Sequence, residues 1–302
     1  MGLSFQLDLT SAEQVRAQLT FQQEKDIRNL YQRVVRNINK EAKRLPNTTS
    51  GVLRAMYLSK LKGQINEQLE ALGAEIETTI KRNMTATVDA VVMDNLSFLH
   101  YVDLPIEGAF SHVARDTIES VISGRVYSGN WSLSKAIWKQ TKKAQADINR
   151  IIAQGIAQNK GSYDIAKDLE KYVNPSARKD WEWSKVYPGT NKVADYAAQR
   201  LARTMVSHAY QQAFIRTTQK NPFVTKYRWI SSNSSRVCEL CASRDGSYYP
   251  KDDLPMDHPN GMCTFVAVME DSMVDIVDRI ADWALGKPDP ALDDYYNFLI
   301  NS

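Results

Sequence analysis

The chain has 302 residues, 43% of them hydrophobic and 24% charged, and a formal net charge of +3. That length allows one large core or two modest ones, and the composition is that of an ordinary globular protein. No stretch approaches 18 uninterrupted apolar residues, so no membrane span is expected, and the start shows no secretory apolar region. A balance of +3 selects no polyanionic partner by itself.

The elements predicted in chain order are mostly helices. Capping-box patterns at Thr10-x-x-Glu13 and Ser11-x-x-Gln14 start a helix that runs to about Arg44, with Pro46 to Ser50 as the break. A second helix begins at Gly51. Its apolar residues Leu58, Leu61, Ile65, Leu69, Leu72, Ile76, Ile80 and Met84 recur in steps of three and four. Unbroken to about Asn95 it would be roughly 65 Å long, and Gly73 is a candidate interruption. A loop is expected over His100 to Gly108, then a short helix to Ser123. A basic helix follows from Trp131 to Gln158, another to Val173 and a strong one from Val193 to Lys220. Trp131 and Trp138, seven residues apart on one helical face, are expected in the core. His208 is expected to be a satisfied interior histidine.

The texture then changes. Phe223 to Ile230 alternates like a strand, and Thr264 to Val268 is its expected partner. Two short acidic helices close the chain, Met273 to Leu285 and Ala291 to Leu299. The fold class is therefore mainly α: an extended helical N-terminal region and a bundle, with a small C-terminal β-hairpin and zinc-knuckle module. The expected divisions are 1–160, 161–269 with the module at 223–268, and an acidic tail over 270–302.

Between the two strands lie all three cysteines, Cys238, Cys241 and Cys263, with the last histidine, His258. Three thiolates and an imidazole at C-x2-C and H-x4-C spacing make a complete tetrahedral ligand set for a structural zinc ion. Four protein ligands leave no position for a reactive water. A disulfide would strand one cysteine, and a redox C-x2-C belongs in a βαβ unit that is not visible here. A deaminase signature is absent. A nuclease of the HNH type would need a further histidine downstream, and none follows His258.

Charge is unevenly spread. Phe21 to Leu45 holds seven basic residues against three acids, and Arg125 to Lys160 holds seven against Asp147 alone. From Glu270 onward eight acids face Arg279 and Lys287. Such blocks steer partners through long-range potential, or form solvated helix faces. Lys135, Lys139, Lys142, Lys143 and Arg150 are the candidate contacts to duplex DNA, bound electrostatically without regard to sequence.

Ala198 to Thr204, Trp229-Ile230-Ser231, Arg236-Val237-Cys238-Glu239-Leu240-Cys241, Asp245-Gly246 and His258-Pro259-Asn260 occur in an order that resembles the phage head morphogenesis family. These are the minor head proteins of tailed phages, related to the phage Mu F protein. Many members read H-P-N-C-x-C, and here Gly261 stands at the first of those cysteines and Cys263 at the second. Many also carry an acid after the Arg-Thr pair, where this chain has Met205.

The resemblance implies a non-catalytic virion component, made in the host cytoplasm and placed inside the head at the portal vertex. Its expected roles are in procapsid assembly and in DNA packaging and ejection. Its expected partners are the portal protein, the scaffold or major capsid protein, and DNA. The N-terminal helices are expected to supply portal attachment. The competing readings are a zinc-containing nuclease or toxin-like enzyme, and a zinc-dependent nucleic-acid-binding regulator. A regulator would concentrate base around the knuckle, yet Ala242 to His258 has Arg244 and Lys251 against four acids.

Overall fold

A computed structural model describes residues 10–102, 104, 109–127, 129, 131–174, 194–232 and 237–301. The expected break at Asn174-Pro175 and the loop over Lys185 to Asn191 reach outside the described residues. The helices are α1 (Thr10–Ala42), α2 (Gly51–Tyr101), α3 (Ser111–Ser123), α4 (Leu133–Ala157), α5 (Ser162–Val173), α6 (Ala194–Thr218), α7 (Glu239–Arg244), α8 (Met273–Ala284) and α9 (Pro290–Asn301). The strands are β1 (Val224–Ile230), β2 (Tyr248–Pro250) and β3 (Thr264–Met269). The mainly helical class with a small β module holds. No helix among the described residues is long and apolar enough to cross a membrane.

The chain packs as two units. One holds Phe21–Ile80 and Gly129–Ala202, and the regular elements among its described residues are helices. The α2 stripe from Leu58 to Ile80 is buried there, with Ile27, Val34 and Ile38 of α1 and Ile137, Ile148 and Ile151 of α4. Gly73 does not interrupt α2. A Cβ at that position would lie 3.2 Å from Thr141 Oγ1 and 3.3 Å from a methyl of Ile137, so the glycine lets α4 approach. The α1–α2 connection is tied to the start of α5, where the Ser162 backbone N–H donates to the Thr48 carbonyl at 3.1 Å.

The other unit holds Met1–Thr20, Lys81–Ser128 and Arg203–Ser302. The first turn of α1 is capped by Asp94 of α2, which accepts from the Ala12 N–H at 2.9 Å and from the Ser11 hydroxyl. Ser11 thus bonds a distant carboxylate. The sheet is antiparallel in the order β2-β1-β3, with Tyr227 opposite Ala267 and Trp229 opposite Phe265. The expected hairpin is the β1–β3 pair. The segment between its strands, expected as an irregular knuckle, also folds into α7 and a third strand, β2, which pairs Tyr249 with Tyr227. Trp229, Tyr227, Phe265, Phe214 and Tyr210 are fully buried between the sheet and α6, with the Trp229 and Phe265 rings edge-to-face at 4.8 Å.

Candidate metal centre

Cys238 caps α7, its sulfur accepting from the Cys241 N–H at 3.4 Å. The helical turn that follows carries Cys241 back beside it. His258 arrives from the loop after β2. Its Nε2 lies 3.0 Å from the Cys241 sulfur and 3.3 Å from that of Cys238. Cys263, at the mouth of β3, places its sulfur 3.2 Å from Cys241. All four predicted donors therefore converge, with Cys241 at the centre. With Asp257 they form two overlapping sets of mutually close atoms, Cys238–Cys241–His258 and Cys241–Asp257–Cys263, and the four donors are not one mutually close set.

Three observations bear on whether a cation fits. His258 Nδ1 lies 3.0 Å from the Pro259 carbonyl. As the donor there, it leaves the Nε2 lone pair facing the sulfurs, the tautomer that metal-binding histidines adopt. Burial pushes the Cys241 and Cys263 thiols up, while the backbone N–H of Cys241 brings Cys238 down. Finally, the Trp229 indole N–H is buried with no hydrogen-bond partner of ordinary geometry, yet it lies near enough to Cys263 to favour its thiolate. A divalent cation would compensate two buried thiolates, and an indole N–H suits a bound sulfur. The donor set fits zinc, which Cys238, Cys241, His258 and Cys263 would hold.

Asp257 is the residue that sequence reasoning passed over. It is buried, and its two carboxylate oxygens accept from the N–H groups of His258 at 2.9 Å and Cys263 at 3.2 Å. It also presses on Gly261, where a Cβ would sit 2.2 Å from both oxygens. Engaged in this way, the carboxylate sets the turn that aims His258 and Cys263. Position 261 has no room for a side chain in this arrangement, so Cys263 is the cysteine that reaches the cluster.

A polar face of α6 grips the same turn. Thr204 accepts from the Asn260 N–H at 2.8 Å, Arg203 donates to the Asn260 side-chain oxygen at 3.0 Å, and Ser207 donates to the Gly261 carbonyl at 2.9 Å. Gln211 donates to the Pro255 carbonyl at 2.7 Å and accepts from the Asp257 N–H at 2.8 Å. His208 is buried with both ring nitrogens occupied, Nε2 by the Asp257 carbonyl at 3.0 Å and Nδ1 by the Tyr127 hydroxyl at 2.7 Å. That satisfied interior histidine was expected, and burial lowers its pKa. From the other side Arg16 of α1 donates to the Cys263 carbonyl at 2.7 Å and covers the Tyr210 ring at 4.3 Å. The signal for the α6 grip was the helical spacing of Arg203, Thr204, Ser207, His208 and Gln211, hidden behind the apolar positions of the same helix.

The predicted DNA contacts do not converge on anything. Lys135, Lys139, Lys142, Lys143 and Arg150 are exposed along α4. Lys142 lies 3.8 Å from Glu70 and Arg150 lies 3.6 Å from Asp147. Trp138, expected in the core, is 64% exposed among these lysines, because α4 buries the face that carries Ile137, Ala144 and Ile148.

Fold and site together define a helical protein whose small β module is centred on a cysteine/histidine cluster. Residues 146–265 match the family model described as Phage Mu protein F like protein, and the likeness to phage head morphogenesis proteins rests on that segment. The matched segment contains all four candidate ligands and, of the five candidate DNA contacts, Arg150 alone. No curated protein and no solved structure matches the chain.

Proposed function

We propose that this protein is a minor head component of a tailed phage, held at the portal vertex within the head and acting in procapsid assembly and in DNA packaging and ejection. Its role is non-catalytic, and one zinc ion on Cys238, Cys241, His258 and Cys263 ties the β module together. The observation that carries the reading is the family match over the segment that contains those four residues. Each histidine at the cluster has both ring nitrogens occupied, which supports a structural role over general-base chemistry.

Portal attachment is assigned to α1 and α2, and contact with the scaffold or major capsid protein accompanies assembly. Deleting these helices would remove core residues, so the test is charge reversal on their surface. Arg28→Glu with Arg36→Glu, both exposed on α1, should abolish co-purification with co-expressed portal. A folded double variant that still co-purifies normally refutes the assignment.

Duplex DNA contact through α4 is the second part of the reading. The exposed Lys139 and Lys143, beside Lys135, support a backbone-tracking, sequence-independent interaction.

A further inference from the structure

The apolar face of helix α8 has a buried edge and an exposed edge. One, with Ile276 and Ile280, is buried. The other runs Val274, Val277, Ala281, Ala284 in steps of three, four and three, and all four are exposed. Val274 is 68% exposed and the neighbouring Leu285 is 88% exposed. A seam with that spacing is the kind a second helix covers. Asp271, Asp275, Asp278 and Asp282 border it. The nearby bases Arg279 and Lys287 are already paired, with Asp289 and Asp282 respectively, each at 2.7–2.8 Å.

The first turns of α2 present the complementary surface. Val52 is 81% exposed and Met56 55%, one helical turn apart, with Leu53 beside them. The exposed charge that continues this stripe along α2 is basic: Lys60, one turn beyond Met56.

We propose that these two faces bind each other between copies of the chain, so that α8 of one copy docks on the start of α2 of the next. Charge selects this pairing. An α8–α8 contact would set aspartates against aspartates, and an α2–α2 contact would set Lys60 against its copy, each costly when like charges meet in a desolvated interface. Pairing unlike faces gives a head-to-tail contact, which closes into a ring or runs on as a filament according to the rotation between copies. The inference does not depend on the head-protein reading.

Analytical ultracentrifugation of the full chain at physiological salt tests it with two surface variants. One carries Val52→Glu and Met56→Glu, the other Val274→Glu and Val277→Glu. The wild type should self-associate with rising concentration, and each variant alone should be at least about tenfold weaker, a loss of about 1.4 kcal/mol. Mixed one to one, the variants should recover a dimer and stop there, because one intact α8 face then meets one intact α2 face. All four positions are exposed, so each variant should keep the wild-type circular dichroism and melting profile. A monomeric wild type overturns the proposal, including one whose α8 variant loses portal instead. So does a mixture that stays monomeric, or a variant that self-associates as tightly as the wild type.

Discussion

The cysteine/histidine cluster and the basic face of α4 are both sets of side chains singled out by type and spacing, yet the fold treats them in opposite ways. The cluster's donors come from the start of α7, the loop after β2 and the mouth of β3, and six side chains from α1 and α6 hold them in place. The lysines of α4 need only the helix they sit on, and Lys142 and Arg150 stand within ion-pair distance of an acid. A site assembled from distant segments fails when one anchor is removed. A site on one helix weakens by increments.

The largest expected effect is at Cys241, the only residue common to both close sets. Cys241→Ser should abolish stoichiometric zinc binding, measured by elemental analysis of freshly reduced protein, and should raise amide exchange across β1 to β3 while the helices stay folded. Structural zinc contributes about 10–16 kcal/mol of apparent binding energy in small modules, so the loss should be complete. Retained metal in the variant would show that the cluster is not the zinc site.

Next comes the turn. Gly261→Ala places a methyl group against the Asp257 carboxylate and should cost about 1–3 kcal/mol in denaturant unfolding, the usual range for overpacking. Asp257→Ala leaves the buried Cys263 N–H and the half-buried His258 N–H unmet and should cost at least as much, about 1–3 kcal/mol for the buried group alone. If either variant matched the wild type, the carboxylate would not be what aims His258 and Cys263.

His208 gives a smaller effect with a definite sign. Its pKa in the folded chain is depressed below the ordinary 6.5 because burial disfavours the imidazolium. The unfolded chain therefore binds this proton more readily, and stability should fall as pH drops below about 6.5 towards the folded value. His208→Gln should flatten that limb of a urea-midpoint profile relative to wild type. An unchanged slope would place the pH dependence elsewhere.

The α4 face should respond most gently. Neutralising Lys139, Lys142 and Lys143 together should reduce the salt slope of duplex DNA binding by about 0.9 per lost phosphate contact, with stability within about 0.5 kcal/mol of wild type. A strongly sequence-selective interaction, or one indifferent to salt, would remove DNA binding from the proposed function.

Sequence reading reached the helices and the β1–β3 pair, and it singled out four side chains that the fold brings near one another, because periodicity and C-x2-C spacing are local signals. Every member of the α2 stripe from Leu58 to Met84 is buried. It missed what depends on a partner. Strand β2 is three residues long and exists through its pairing with β1, and α7 is a short helix capped by a cysteine that the spacing had assigned to the metal alone. Trp138 looked like core because it lies seven residues from Trp131. Which face of α4 is covered is decided by Gly73 on α2, which admits Ile137 and Thr141. Asp257 looked like part of an acidic loop. Its importance lies in two backbone N–H groups that only a folded turn presents.

The cap on α1 sets an order on the making of the chain. Ala12 and Ser11 take their carboxylate from Asp94, 82 and 83 residues further along. The first N–H groups of a helix have no partner within the helix itself. While the polypeptide emerges from the ribosome, the first turn of α1 must therefore wait for nearly the whole of α2 before it gains that carboxylate. Until then water must meet the Ala12 N–H.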